Sequence, residues 1–249
     1  MFMNRCGAAK TAGIIIIGNE ILSGKVQDSN SFYLASELRT LGVSVMRISV
    51  IPDDIGTIGE EVSSFSGKYD YVFTAGGVGP THDDVTMAGI AKGFGVALKT
   101  DPKLEKNFRT KYGTACNAAV MKMAEVPEGA EIITVSNSRF PIISFRNVFI
   151  FPGIPQYLRD KFYSIRERFR SPEYFLKKLY LDAEESEIAA VLSKSVSRND
   201  EVSFGSYPVL DNSSYRILVT AESKNKEALE KAVEELLLNL PEHAVVRVE

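Results

Sequence analysis

From Thr11 onward, short apolar runs alternate with stretches whose apolar residues recur at helical spacing. The run AGIIIIG at 12–18 carries four consecutive isoleucines, the pattern of a strand buried on both faces. In DSNSFYLASELRTLG, Phe32, Leu34, Leu38 and Leu41 fall at roughly helical spacing and the pattern stops at Gly42. The spacing predicts a helix there, with Asp28 or Ser29 as its cap. VSVMRISVI predicts a second strand, IGTIGEEVSSFSG a second helix, YDYVFTAGG a third strand, and the residues 84–94 a further helix. Strands alternating with helices predict a largely parallel sheet covered on both faces, an α/β fold.

Further along, DPKLEKNFRTKYG reads as a helix, EIITV as a strand, and PIISFRNVFIF as a hairpin turning at Arg146 and Asn147. Helical periodicity resumes in GIPQYLRDKFYSIRERF, with Ile154, Leu158 and Phe162 in line. The polar stretch RFRSPEY reads as a link, which sets expected domains at 11–170 and 174–249. Beyond it the order becomes strand FLKKLYL, helix EESEIAAVLSKSV, strand EVSFGSYP, strand SYRILVTA and helix KEALEKAVEELLLNL. That string predicts a small α+β module of βαββα order. No repeat of solenoid length and no low-complexity segment interrupts it.

Composition narrows the class of function. The 249 residues are 45% hydrophobic and 24% charged, which is ordinary globular chemistry. A net charge of −3 speaks against a broad nucleic-acid surface. Cys6 and Cys116 match no CxxC spacing, so the expectation is a reducing compartment, cytoplasmic or alternatively mitochondrial. The run Ile14 to Ile17 is too short to span a bilayer, and MFMNRCGAAK holds no apolar segment of signal-peptide length, so no membrane partner is expected.

The chemistry concentrates in TAGGVGPTHDDVT at 74–86, which follows a strand and leads into a helix. In an open parallel sheet, ligands bind outside the carboxyl ends of the strands. Gly76, Gly77 and Gly79, with Pro80 and Thr81, allow backbone N–H groups to approach an anion at a helix N-terminus, a phosphate cradle. Asp83 and Asp84 beside a phosphate require a divalent cation between them; alternatively, one of them caps the helix. VIPDD brings Asp53 or Asp54 to the same sheet edge, either as a second carboxylate source or as a helix-capping turn. The loop GNEILSGKVQDSN offers Gly18, Glu20, Ser23, Lys25, Asp28 and Asn30; Lys25 either meets phosphate or is solvated. His82 is a ligand, an acid or a loop hydrogen-bonding group, and FPGIP reads as a turn closing one wall of the cleft. Tyr207 and Tyr215 can stack on a flat ring or fill core and surface positions.

With IIIIGNEILSGKVQDSN before it and IFPGIP after it, the glycine stretch resembles the molybdopterin-binding-like domain. That domain is shared by molybdopterin adenylyltransferases, bacterial competence/damage-inducible protein A and the N-terminal part of animal-type FAD synthases. SRFPIISFRNVFIFPGIPQYLR is similar to the last branch. The resemblance covers about 11–240 and implies a three-layer α/β/α domain. It places the family's catalytic and metal-holding aspartates at Asp53 and Asp84, with Asp83 assisting. It further implies divalent-metal-dependent hydrolysis (Mg²⁺, Mn²⁺ or Co²⁺) of FAD to FMN and AMP, and a homo-oligomer. Two departures stand out. The synthase domain of the FAD synthase branch does not follow in these residues, and the family's Gly-Asp-Glu reads Gly18-Asn19-Glu20. The alternatives are a non-catalytic flavin- or pterin-nucleotide-binding module and a molybdopterin adenylyltransferase-like enzyme.

Overall fold

A computed structural model describes residues 9–134, 140–210 and 214–249. The chain divides into two units, Met1–Ser171 and Pro172–Glu249. In the first, β1 (Thr11–Ile17) leads through the short helix α1 (Asn19–Leu22) to α2 (Asn30–Thr40), β2 (Ser44–Ile51), α3 (Ile55–Lys68), β3 (Tyr71–Ala75) and α4 (Thr86–Phe94). There follow β4 (Leu98–Thr100), α5 (Pro102–Tyr112), α6 (Ala118–Lys122), β5 (Glu125–Pro127), β6 (Glu131–Ile133), β7 (Ile142–Phe145), β8 (Val148–Phe151) and α7 (Pro155–Ile165). The main sheet has the order β2-β1-β3-β8-β7-β6. Its first four strands run parallel, while β7 and β6 are antiparallel additions.

The isoleucine run of β1 is buried on both faces because each face is covered. Ile14 and Ile16 pack with Leu34 and Leu38 of α2 and Leu158 and Phe162 of α7. Ile15 and Ile17 pack on the other side with Ile58, Val62 and Phe65 of α3 and Ile90 of α4. Three layers result, as an α/β/α domain requires. On the α2–α7 side Phe73, Phe149, Phe162 and Phe169 form a ring cluster; Phe149 and Phe169 meet edge to face at 4.7 Å between centroids. Such pairs add about 0.5–1.5 kcal/mol each beyond area burial.

The cap of α2 divides between the two residues the pattern named. Ser29 occupies the N-cap position, but Asp28 Oδ1 accepts from the backbone N–H groups of Asn30 and Ser31. The hairpin turns at Arg146, with φ 54°, and Asn147, whose amide donates to the carbonyls of Ser66 and Tyr69. The helix expected over 84–94 starts later, at Thr86. The strand expected in EIITV covers Glu131–Ile133, and Val135 lies outside the described residues. The two-stranded β4–β5 sheet and α6 left no periodic signal, because elements of three to five residues are shorter than one period of evidence. They frame a small core of Leu104, Phe108, Ala124 and Val126.

The second unit is the expected α+β module and adds one strand to the βαββα order. Its elements are β9 (Phe175–Leu181), α8 (Glu185–Arg198), β10 (Ser203–Pro208), β11 (Ile217–Ser223), α9 (Lys226–Asn239) and a sixth element, β12 (Val245–Val248). The antiparallel sheet has the order β10-β11-β9-β12, so the module is βαββαβ, a ferredoxin-like arrangement. β12 escaped the pattern because it is a four-residue edge strand with Val246 and Val248 exposed, leaving no buried alternation to read. Its pairing to β9 completes the coverage of Leu179 and Leu181, both fully buried.

Candidate active site

The parallel strands β1, β2, β3 and β8 end at one edge of the sheet, and their loops assemble there. Gly76, directly after β3, has φ 115°, and a Cβ at this position would come within 2.0 Å of the Ile17 carbonyl oxygen at the end of β1. Gly77 has φ 62°, and a Cβ there would lie 2.4 Å from Thr86 Oγ1. Both positions therefore require glycine for packing against β1 and α4, apart from any ligand. The buried Thr86 hydroxyl donates to the Gly76 carbonyl at 2.9 Å and its N–H to the Gly77 carbonyl at 3.0 Å, which ties the loop to the first turn of α4.

Two carboxylates from separate loops flank this turn. Asp53, after β2, accepts from the Asn19 N–H through Oδ2 at 2.8 Å, and its Oδ1 lies 3.5 Å from the point a Gly77 Cβ would occupy. Asp84 Oδ2 accepts from the Thr81 N–H at 2.8 Å and from the Thr81 hydroxyl, and a Gly79 Cβ would come within 2.7 Å of it. Asp84 thus closes its own loop. The N-cap of α4 is Val85, with no side-chain cap, so neither Asp83 nor Asp84 caps the helix. In the other pair the capping reading holds for Asp54, whose Oδ1 accepts from the Thr57 N–H at 2.8 Å and from its hydroxyl at 2.9 Å. The Thr57 amide and then its hydroxyl hold the Asp54 carboxyl below the usual range.

A cleft of about 1420 Å³ runs along this edge. Asp53, Asp83, Asp84, Glu20, Gly76, Gly77, Gly79 and Pro80 line it, together with Pro152, Gly153, Ile154 and Pro155 of the FPGIP turn. Gly18, Thr81 and Lys25 stand outside its lining; Lys25 is exposed in the turn after α1. Gly18 still joins the frame, its N–H donating to the Ile51 carbonyl at 3.1 Å. The His82 side chain is 98% exposed, 3.9 Å from Asp83. The Thr81 hydroxyl, and then the backbone N–H of Asp83 itself, hold the exposed Asp83 carboxyl below the usual range. Asn30 lies outside the cleft and donates to the Gly153 carbonyl at 2.7 Å, fixing the FPGIP turn against α2. Tyr215 packs edge-on against Tyr180 in the second unit, and Tyr207 is exposed on β10.

Sequence reasoning missed the lysines that line the cleft, Lys111, Lys122 and Lys161. Lys122, from α6, donates to the Thr81 carbonyl at 2.6 Å and so braces the glycine loop. Lys161, on α7, is nine-tenths buried and donates to the carbonyls of Phe140 and Pro141 at 2.6 and 2.8 Å; burial pushes its ammonium down to about 8. Lys161 belongs to a stripe with Tyr157, Asp160 and Ser164 at helical spacing along the cleft wall. In the sequence it is one lysine of an amphipathic helix, with nothing to mark it as inward-facing.

Among the described residues no cluster of three His, Cys, Asp or Glu side chains is placed to hold a metal ion, and no helix is long and apolar enough to cross a membrane. The residues nonetheless fit a cation that arrives with a phosphate ligand. Asp53 and Asp84 each keep Oδ1 outside the loop hydrogen bonds described above, and Mg²⁺ typically uses one or two carboxylates plus substrate phosphate and water.

Residues 13–170 match the family model described as probable molybdopterin binding domain, and residues 173–249 match the one described as FAD synthase, middle domain. A probable FAD synthase of Caenorhabditis elegans is 34% identical; the match covers 95% of this chain and 51% of that protein. The chain therefore spans about half the length of that relative. A protein of Archaeoglobus fulgidus is 38% identical, with 90% of this chain and 96% of its own length covered. The crystal structure of CinA from Thermoplasma acidophilum, titled as a protein of unknown function, superposes with a TM-score of 0.60 at 30% identity. It covers 65% of this chain and 100% of its own.

Proposed function

The chain belongs to the probable molybdopterin binding domain family, and from that premise we propose that its cleft hydrolyses the pyrophosphate of a dinucleotide, FAD in the first place, to FMN and AMP. The observation that carries this reading is the position of Asp53 and Asp84, which come from two separate loops and meet one glycine turn, Asp53 beside Gly77 and Asp84 beside Gly79, in the lining of one cleft. The match of the remaining residues to the FAD synthase middle domain supports a flavin nucleotide over other dinucleotides.

In this reading the Gly77–Gly79 backbone at the N-terminal end of α4 receives the phosphates, and Lys122 holds the loop in the receiving conformation through the Thr81 carbonyl. Asp53 and Asp84 would hold a divalent cation, which supplies charge neutralisation at the phosphoryl oxygens. Asp83, exposed beside His82, would orient the attacking water. The Asn19 N–H fixes the Asp53 carboxylate, so Asn19 contributes its backbone where an acidic side chain would add a further ligand.

Purified protein incubated with FAD and each of Mg²⁺, Mn²⁺ and Co²⁺ should release FMN and AMP in equal amounts. No release with any of the three metals removes the hydrolase reading. A second reading, a nucleotide-binding module without turnover, is favoured by the absence of a third acidic ligand among the described residues. It predicts FAD or AMP affinity that EDTA leaves unchanged.

A further inference from the structure

The cleft has a second end, remote in sequence from the carboxylate loops and different in chemistry. It is lined by Phe108 and Tyr112 of α5, Phe140, Met123 and Ile143, with Lys122 and Lys161 on its walls. Phe108 is 4% exposed, and its ring lies 5.7 Å from that of Phe140. The Lys111 ammonium sits 3.4 Å over the Phe140 ring centroid. Phe108 backs this wall from the core, while the half-buried Phe140, Tyr112 and Met123 give it an apolar, polarisable surface suited to a flat ring.

Lys161 adds the polar element. An ammonium has three donors and no acceptor. Two donors of Lys161 go to the Phe140 and Pro141 carbonyls, and one is left on a side chain that lines the cleft. Among the described residues no carboxylate forms an ion pair with it, and burial is the cause of its lowered proton affinity. A buried cation held by two neutral carbonyls is an incomplete arrangement that an electron-rich ligand edge completes. Adenine offers its exocyclic amine as well as ring acceptors, and an amine facing an ammonium is repelled. A pyrimidine-dione edge offers acceptors on both sides of its single N–H.

We propose that this end of the cleft is the ring subsite, in which the isoalloxazine of a flavin lies against Phe140 with its dione edge toward Lys161. The adenosine half then occupies the opposite end, near Glu20, Val26 and the Pro152–Pro155 turn. The assignment rests on the proposed dinucleotide reading and specifies which half of the substrate each lobe receives. It also predicts a preference for reduced flavin, whose N1–C2 region carries negative charge when the ring is deprotonated.

The test uses the full chain with FMN, riboflavin and AMP as separate probes, followed by flavin fluorescence and calorimetry. FMN and riboflavin should bind with quenched fluorescence, and reduced FMN should bind more tightly than oxidised FMN. Lys161→Met should weaken FMN about tenfold, the loss of one charge-assisted hydrogen bond, and abolish the reduced-state preference while leaving AMP affinity unchanged. Phe140→Leu, which keeps Lys161 and its carbonyl partners, should weaken the quenching and riboflavin affinity together. Unchanged FMN affinity in both variants overturns the assignment, as does equal loss of FMN and AMP. Lysine-dependent flavin binding without FAD turnover would keep the ring subsite and remove the hydrolase. FAD turnover with unaltered KM in both variants would do the reverse.

Discussion

Replacing Lys161 by methionine removes a buried ammonium and keeps an unbranched side chain of similar reach, so the effect on stability should depend on pH. The ammonium has an ordinary pKa of 10.5 and burial brings it to about 8 in the folded chain. The folded state therefore binds this proton less tightly than the unfolded state. Below about pH 8 both states are protonated, and folding carries the full cost of burying the charge. Between about 8 and 10.5 the folded state loses the proton first and the cost declines; above 10.5 both states are neutral. At about 1.4 kcal/mol per pH unit, the decline amounts to about 3 kcal/mol. The urea transition of the wild type and of Lys161→Met, followed by circular dichroism at steps from pH 7 to 10.5, measures it. Other lysines and tyrosines titrate in both proteins and cancel in the difference. Wild-type stability relative to the variant should rise by about 3 kcal/mol across the window. A difference that stays flat within about 0.5 kcal/mol would show that Lys161 titrates normally, and the account of it as a desolvated ammonium would fall.

Four further outcomes follow from the same geometry. Asp84→Asn keeps an acceptor for the Thr81 N–H and hydroxyl, so its melting temperature should match the wild type while FAD turnover at saturating metal falls on the order of a hundredfold; full activity would take Asp84 off the site. Asp53→Asn should behave in the same way, since its oxygen can still accept from the Asn19 N–H. Gly93→Ala should destabilise the first unit by several kcal/mol, because its Cβ would meet the Gly59 carbonyl oxygen at 2.2 Å where α3 and α4 touch; a variant within about 1 kcal/mol of wild type in urea unfolding contradicts that contact. The segment 172–249, expressed alone, should fold with a cooperative melt, since Leu179, Val219, Leu229 and Leu236 form a core drawn wholly from that unit; a non-cooperative melt would refute its independence.

The periodic elements were legible in the sequence because burial imposes a regular pattern on them. β1 shows as four isoleucines since both faces are covered, and α3, α5, α7, α8 and α9 show through their apolar stripes. The glycine turn and the paired aspartates were legible because unusual backbone and concentrated charge stand out in a linear string. Which aspartate does what was not. Asp54 caps α3 while its neighbour Asp53 turns to the loop beside Gly77, and Asp84 braces Thr81 instead of capping α4. One peptide unit reverses the direction of a side chain, and only the path of the loop decides it.

Short elements, β4, β5, α6 and β12, carry too few residues for a period to register, yet they bring Lys122 to the glycine loop and close the edge of β9. Lys161 belongs to the same class. Its identity is plain in the sequence, but its burial depends on Phe140 and Pro141, some twenty positions earlier, supplying carbonyls at the same point in space. The sequence by itself determined which segments fold and where charge and glycine concentrate, since those follow from local spacing. The tertiary structure decided which side chains face the cleft and which backbone groups they meet, because these depend on strands distant in the chain converging at one sheet edge.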